Sequence, residues 1–185
     1  MDIRIEKTER AIRNAFLELR AAKPLEKITV KELCSLACIN KSTFYSHYED
    51  IYALSQMLES ETITTVIKNI SSQQESPFKD PDVFTRNLYM ALVSNHSLIN
   101  ILFSGTEKSH LGDCLETEFK RLIVEKYPQY ETDPEKDIML SFCIQGCFHA
   151  YLNNQKNDLD TLIHVSETIV RKLAPLYIEE RREDE

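Results

Sequence analysis

The chain has 185 residues, only three Gly and six Pro, and a formal net charge of −8. Few Gly and Pro among many Leu, Ile, Glu and Lys exclude a sheet-rich protein and favour an all-α one, with enough chain for a sizeable core in one or two domains. No run of about 18 apolar residues is present, so no transmembrane helix is expected. The opening M-D-I-R-I-E-K-T-E-R lacks the apolar core of a signal peptide, and a cytoplasmic location is expected.

Taken in order, the first helix is predicted over 5–22, with Ile12, Phe16 and Leu19 on one face and Lys23-Pro24 ending it. Thr29 then has the place of an N-cap, with Glu32 three residues on to complete a capping box. Val30, Leu33 and Ala37 give this second helix one apolar face. Asn40 is the next N-cap, its side chain expected to accept from the backbone of Ser42 or Thr43. Ile39 is expected to plug the angle between the two helices. In the third helix, about 41–48, Phe44 and Tyr48 are four apart and share a buried face. Ser42, Ser46 and Thr43 lie on the opposite side, and Tyr45 and His47 flank the buried stripe.

Two short helices meeting through such a turn form a helix-turn-helix, whose second helix enters the major groove of DNA. The side chains suit that task. Hydroxyls of Ser, Thr and Tyr bond to phosphate oxygens and base edges, and Lys41 neutralises a phosphate. The methyl of Thr43 suits a thymine methyl.

The remaining helices follow from periodicity and punctuation. A fourth is predicted from near Asp50 to about Ile70, with Leu54, Met57, Leu58 and Ile67 at core spacing. Residues 71–77 read as a loop. Asp80 and Pro81 open a fifth helix lined by Val83, Phe84, Leu88, Leu92 and Val93. Ser97 is expected to cap a short helix over 98–103, closed by Ser104-Gly105. Another helix is predicted over 109–126, with Leu111, Cys114, Leu115, Phe119, Leu122 and Ile123 inward and Pro128 as its stop. Asp133-Pro134 open a helix through Tyr151 that is apolar round most of its girth and should be buried on two sides. Gly146 in its middle costs about 1 kcal/mol relative to Ala, a cost that close helix approach would offset. The last helix, about 158–179, shows Leu162, Val165, Ile169, Leu173 and Leu176.

The charge is unevenly spread. Residues 1–48 hold nine Lys and Arg against six Asp and Glu, whereas 49–185 hold thirteen against twenty-four. A mildly basic head on an acidic body suggests that one end meets nucleic acid while the body repels it.

Thr29-Val30-Lys31-Glu32-Leu33, followed by Ala37-Cys38-Ile39-Asn40-Lys41-Ser42-Thr43-Phe44-Tyr45-Ser46-His47-Tyr48, resembles the signature of the TetR/AcrR family of bacterial transcriptional regulators. The stretch from Thr8 to Ala21 is similar to that family's first helix, so the likeness covers about the first sixty residues. Two departures stand out. Cys38 occupies a turn position where the family usually has Gly, which is favoured wherever φ is positive, so the turn is either strained there or built differently. Ile51 stands where the family often has a phosphate-binding Lys, beside Glu49 and Asp50, which puts one backbone contact in doubt and lowers the expected affinity.

The resemblance implies an all-α chain of about nine helices: a three-helix DNA-binding domain over 5–65 and a regulatory and dimerisation domain over 66–185. The expected DNA contacts are Thr29, Lys31, Lys41, Ser42, Thr43, Tyr45, Ser46 and His47. The resemblance also implies a pocket for a small-molecule effector in the body, with Phe84, Leu88, Tyr89, Leu92, Phe103, Phe119, Met139, Phe142, Cys143 and His149 as candidate walls and Tyr89, Gln145 and His149 as polar groups. The last two helices would form half of a four-helix homodimer interface, with Gly146, Ala150, Leu162 and Ile169 in it, or else pack only within one subunit. Dimerisation suits a palindromic operator, because two reading helices must lie about one DNA turn apart. The implied function is a repressor released from double-stranded DNA by its effector. A co-regulator or activator working through a protein partner is the alternative.

Five cysteines is an odd number, and no disulfide is expected. Cys34/Cys38 and Cys143/Cys147 are each four apart, but cysteine also serves as a small buried apolar side chain, and the spacing lacks the His partners of a zinc site. No Gly-rich phosphate loop, metal-ligand cluster or G-x-S-x-G elbow points to an enzyme or a cofactor.

Overall fold

A computed structural model describes residues 3–71, 80–103 and 108–173. Among the described residues the chain is all-α and contains no strand. Its helices are α1 Ile3–Ala22, α2 Val30–Leu36, α3 Lys41–Tyr45, α4 Ile51–Ser71, α5 Pro81–Ser94, α6 His96–Leu102, α7 Lys108–Lys126, α8 Pro134–Asn153 and α9 Leu159–Leu173. The loop expected over 72–77, the Ser104-Gly105 closure and the last helix beyond residue 173, Leu176 included, lie outside the described residues. No helix is long and apolar enough to cross a membrane among the described residues.

The chain divides into two compact units, Met1–Thr62 with Ser97–Lys108, and Ile63–His96 with Ser109–Glu185. The first boundary falls inside α4. The inclusion of Ser97–Lys108 in the first unit was not foreseen. Buried Arg20 on α1 donates from Nη2 to the carbonyl of Leu102 at 3.2 Å, which helps tie that segment in.

The first unit is built on Ile12, Phe16, Leu33, Phe44, Leu54 and Leu58, all buried. Ile51 is also buried, because it opens α4 on the inward side. Asp50 accepts from the backbone N–H of Ala53 at 2.7 Å and so caps that helix. The Ile51 and Asp50 departures therefore have structural roles.

In the second unit α9 packs against α5 and α8. Tyr89, fully buried on α5, donates to the carbonyl of Cys147 at 3.1 Å and shares a 2.7 Å hydrogen bond with Ser166 of α9. Burial raises the Tyr89 hydroxyl well above its ordinary range. Gly112 on α7 lies close against α8: a Cβ there would lie 2.7 Å from Gln145 Oε1 and 2.9 Å from the Phe148 ring. At Gly146 a Cβ would meet nothing within 4 Å, so the close approach expected there is not made within the subunit.

Two local expectations are corrected. Asp80 precedes α5 but makes no side-chain capping bond, its backbone being held at φ −127°. Ser97 lies inside α6, which starts at His96, so it is not a cap. On α9, Val165 and Ile169 are exposed, and Ile163, Ser166 and Glu167 are the buried positions.

Candidate nucleic-acid interface

The candidate interface is held by two capped helix starts. Thr29 accepts from the Glu32 backbone N–H at 3.3 Å, and Glu32 Oε2 accepts from the Thr29 N–H at 3.4 Å, which completes the capping box of α2. Lys23 adds a 2.7 Å ion pair to Glu32, and these hydrogen bonds, from Lys23 and Thr29, hold the exposed Glu32 carboxyl below its ordinary range. Asn40 caps α3, its Oδ1 accepting from the Thr43 N–H at 2.8 Å.

Between the caps, Cys38 has φ 55°, the only non-Gly residue described with positive φ. The left-handed region costs an L-residue about 1–2 kcal/mol, so the turn is of the ordinary glycine geometry, occupied by a residue that strains it. Ile39 is half-buried.

The recognition helix expected over 41–48 is shorter. Its α-helical part ends at Tyr45, with Ser46 as C-cap, and the chain turns through Ser46 and His47. The Tyr48 N–H still donates to Phe44 O at 3.0 Å, so the last turn remains hydrogen-bonded. Phe44 is fully buried and contacts both Tyr45 and Tyr48, with ring centroids 5.5 Å and 5.8 Å apart.

Of the eight expected contacts, Thr29, Lys31, Lys41, Ser42, Tyr45 and Ser46 are exposed, and Thr43 and His47 are half-buried. Tyr45 is 56% exposed despite its size. Neither Lys31 nor Lys41 makes an ion pair among the described residues. His47 is held differently from the rest, its Nδ1 lying 3.6 Å from Glu9 Oε1 on α1.

Two features escaped the sequence reading. Tyr52, at the start of α4, is 54% exposed. Arg13 on α1 makes a two-pronged ion pair with Glu61 on α4, at 2.5 Å and 2.7 Å. The clasp links α1 to α4. No sequence spacing signals it, because its members are 48 residues apart along the chain.

The expected effector walls are dispersed. Phe103 belongs to the first unit and the others to the second. Leu88, Tyr89, Leu92 and Met139 are buried core residues, and Phe84 meets Phe119 edge-on at 5.3 Å. Phe142 and His149 are exposed on α8. Gln145 donates to Glu116 Oε2 at 2.9 Å and is engaged in holding α7 to α8. One cavity of about 180 Å³ lies along α8 and α9, lined by Phe142, Cys143, Gly146, Ala150, Ile169 and Leu173 among others. Another of about 210 Å³ is lined by His96, Tyr151, Asn154 and Leu162 with their neighbours.

The expected dimer residues Gly146, Ala150 and Ile169 share the first of these cavities. Gly146 and Ile169 are exposed, and Ala150 and Leu162 are half-buried. Ile138, Phe142, Val165 and Ile169 are all at least half-exposed, an apolar surface on α8 and α9.

All five cysteines are free. Burial pushes the Cys34 and Cys143 thiols up and takes Cys147 to about 12, so these three are poor nucleophiles. No group of His, Cys, Asp and Glu suited to a metal occurs among the described residues. Compared with known proteins, the chain matches no family model and no curated protein.

Proposed function

We propose that the chain is a DNA-binding transcriptional regulator of TetR/AcrR type. On this reading the segment from Thr29 to Tyr48 is a helix-turn-helix, and α3 is the helix offered to the major groove. The observation that carries the proposal is the pair of capped helices joined through a left-handed residue, with a fully buried Phe44 beneath and unpaired Lys31, Lys41 and exposed Tyr45 outside. A solvated surface helix has no need of a strained turn to fix its angle to its neighbour.

The apolar surface of Ile138, Phe142, Val165 and Ile169 supports a homodimer, since such residues clustered on two helices favour burial against a partner. A dimer carries two reading helices, as a palindrome requires. The regulator is proposed to be a repressor, released when a small effector shifts the dimer toward a state with altered reader spacing. The protein-partner alternative drew on the acidic Glu49 and Asp50 and the Lys missing at Ile51; Asp50 and Ile51 have structural roles of their own, so it is the weaker reading.

The test is a gel shift with the full chain and the DNA upstream of its own gene. A discrete shifted band that competitor DNA does not remove is the expected result. Binding no stronger than to random duplex, with Lys41→Ala and Tyr45→Ala indistinguishable from the parent, overturns the proposal.

A further inference from the structure

The four small hydroxyls put forward as DNA contacts all have their protons committed. Asn40 Oδ1 lies 2.8 Å from the Thr43 backbone nitrogen, 2.7 Å from Ser42 Oγ and 2.9 Å from Thr43 Oγ1. A backbone N–H only donates, so the Asn40 atom that it meets is the carbonyl oxygen, which has no proton to give. Both hydroxyls must therefore donate to it. Ser46 Oγ donates to the carbonyl of Thr43 at 2.7 Å, and Thr29 Oγ1 donates to the Glu32 carboxylate at 3.0 Å. A hydroxyl has one proton and two lone pairs. What Thr29, Ser42, Thr43 and Ser46 have left to offer is lone pairs.

Resting on the reading of this face as the DNA-contacting one, we infer that its hydroxyls recognise the exocyclic amino groups of bases, adenine N6 and cytosine N4. Those are the donors of the major groove, whereas guanine N7 and O6 and thymine O4 are acceptors. A hydroxyl held as an acceptor pairs with the first kind and not the second, nor with a phosphate oxygen. Donation falls instead to Lys31, Lys41 and Tyr45, which are exposed. The face is thus divided: ammonium and phenol groups for phosphates and acceptor edges, small hydroxyls for amino groups. Asn40 is the positioning residue, since it orients two of the four hydroxyls and covers the Thr43 amide.

The experiment begins with selection of bound duplexes from a random-sequence library by the full chain and by Ser42→Ala and Thr43→Val. Positions at which a variant loses preference are then probed with base analogues. Purine in place of adenine, or 2-pyrimidinone in place of cytosine, deletes the amino group. Deaza-purines delete the N7 acceptor. Amino deletion is expected to weaken the parent about fivefold to tenfold and to leave the matching hydroxyl variant unchanged, while N7 deletion at those positions is silent. Loss on N7 deletion with silent amino deletion overturns the inference and leaves DNA binding intact. Failure to select any sequence removes the DNA reading and this inference with it. Equal thermal midpoints for parent and variants exclude misfolding as the cause.

Discussion

Cys38 and Asn40 set the shape of the candidate reading head one residue at a time. Cys38 holds φ at 55°, a value that glycine adopts freely and other residues at a cost. Cys38→Gly should therefore stabilise the chain by about 1 kcal/mol, seen as a higher denaturant midpoint with DNA affinity kept or improved. A lower midpoint would mean that the thiol or its Cβ makes a contact worth more than the strain. Asn40 acts in the opposite sense. Its replacement by Ala removes the cap of α3 and should lower stability by about 1 kcal/mol. Tyr89 is the corresponding residue in the second unit, and Tyr89→Phe leaves the Cys147 carbonyl and Ser166 short of a partner, an expected loss of about 1–2 kcal/mol in the same measurement.

Among the elements, glycine placement separates tight from open helix contacts. Gly112→Ala brings a methyl against Gln145 and the Phe148 ring and should lower the melting temperature, by about 1–3 kcal/mol in stability. Gly146→Ala meets no such neighbour and should not. Equal losses from both would contradict the packing of α7 on α8. The contrast also explains what was legible in the sequence. Capping residues act within three or four positions, so Thr29, Asn40 and Asp133 were readable, and each accepts the backbone bond expected of a cap, whereas Asp80 and Ser97, read in the same way, do not cap. Which way the stripe of Leu162, Val165 and Ile169 faces was left open between a partner and the subunit's own core, and only tertiary packing, with α5 against α9, leaves Val165 and Ile169 exposed. The length of α3 was missed for a related reason: Tyr48 shares a face with Phe44, but the turn at Ser46 and His47 still lets them meet. The Arg13 clasp, the Gly112 contact and the place of Ser97–Lys108 depend on partners distant in sequence, and no local signal marks them.

For the whole molecule, the outward apolar surface and the charge asymmetry belong together. Phe142→Asp and Ile169→Asp place charges on that surface and should convert a dimer to monomer in sedimentation, with little change in helix content. A parent that sediments as a monomer at micromolar concentration would remove the dimer from the account. Because the head carries the positive charge, association with DNA should weaken as salt rises, with a slope made shallower than its cations alone suggest by the acidic body, whose repulsion the same salt screens.

The claim that the head reads DNA is tested most directly by titrating one selected duplex with the parent, Lys41→Ala and Tyr45→Ala across a range of salt concentrations. The account expects tight, salt-sensitive binding by the parent, a smaller salt slope by about one for Lys41→Ala, and a loss of affinity for Tyr45→Ala, all at unchanged thermal stability. Identical curves for all three proteins would contradict it.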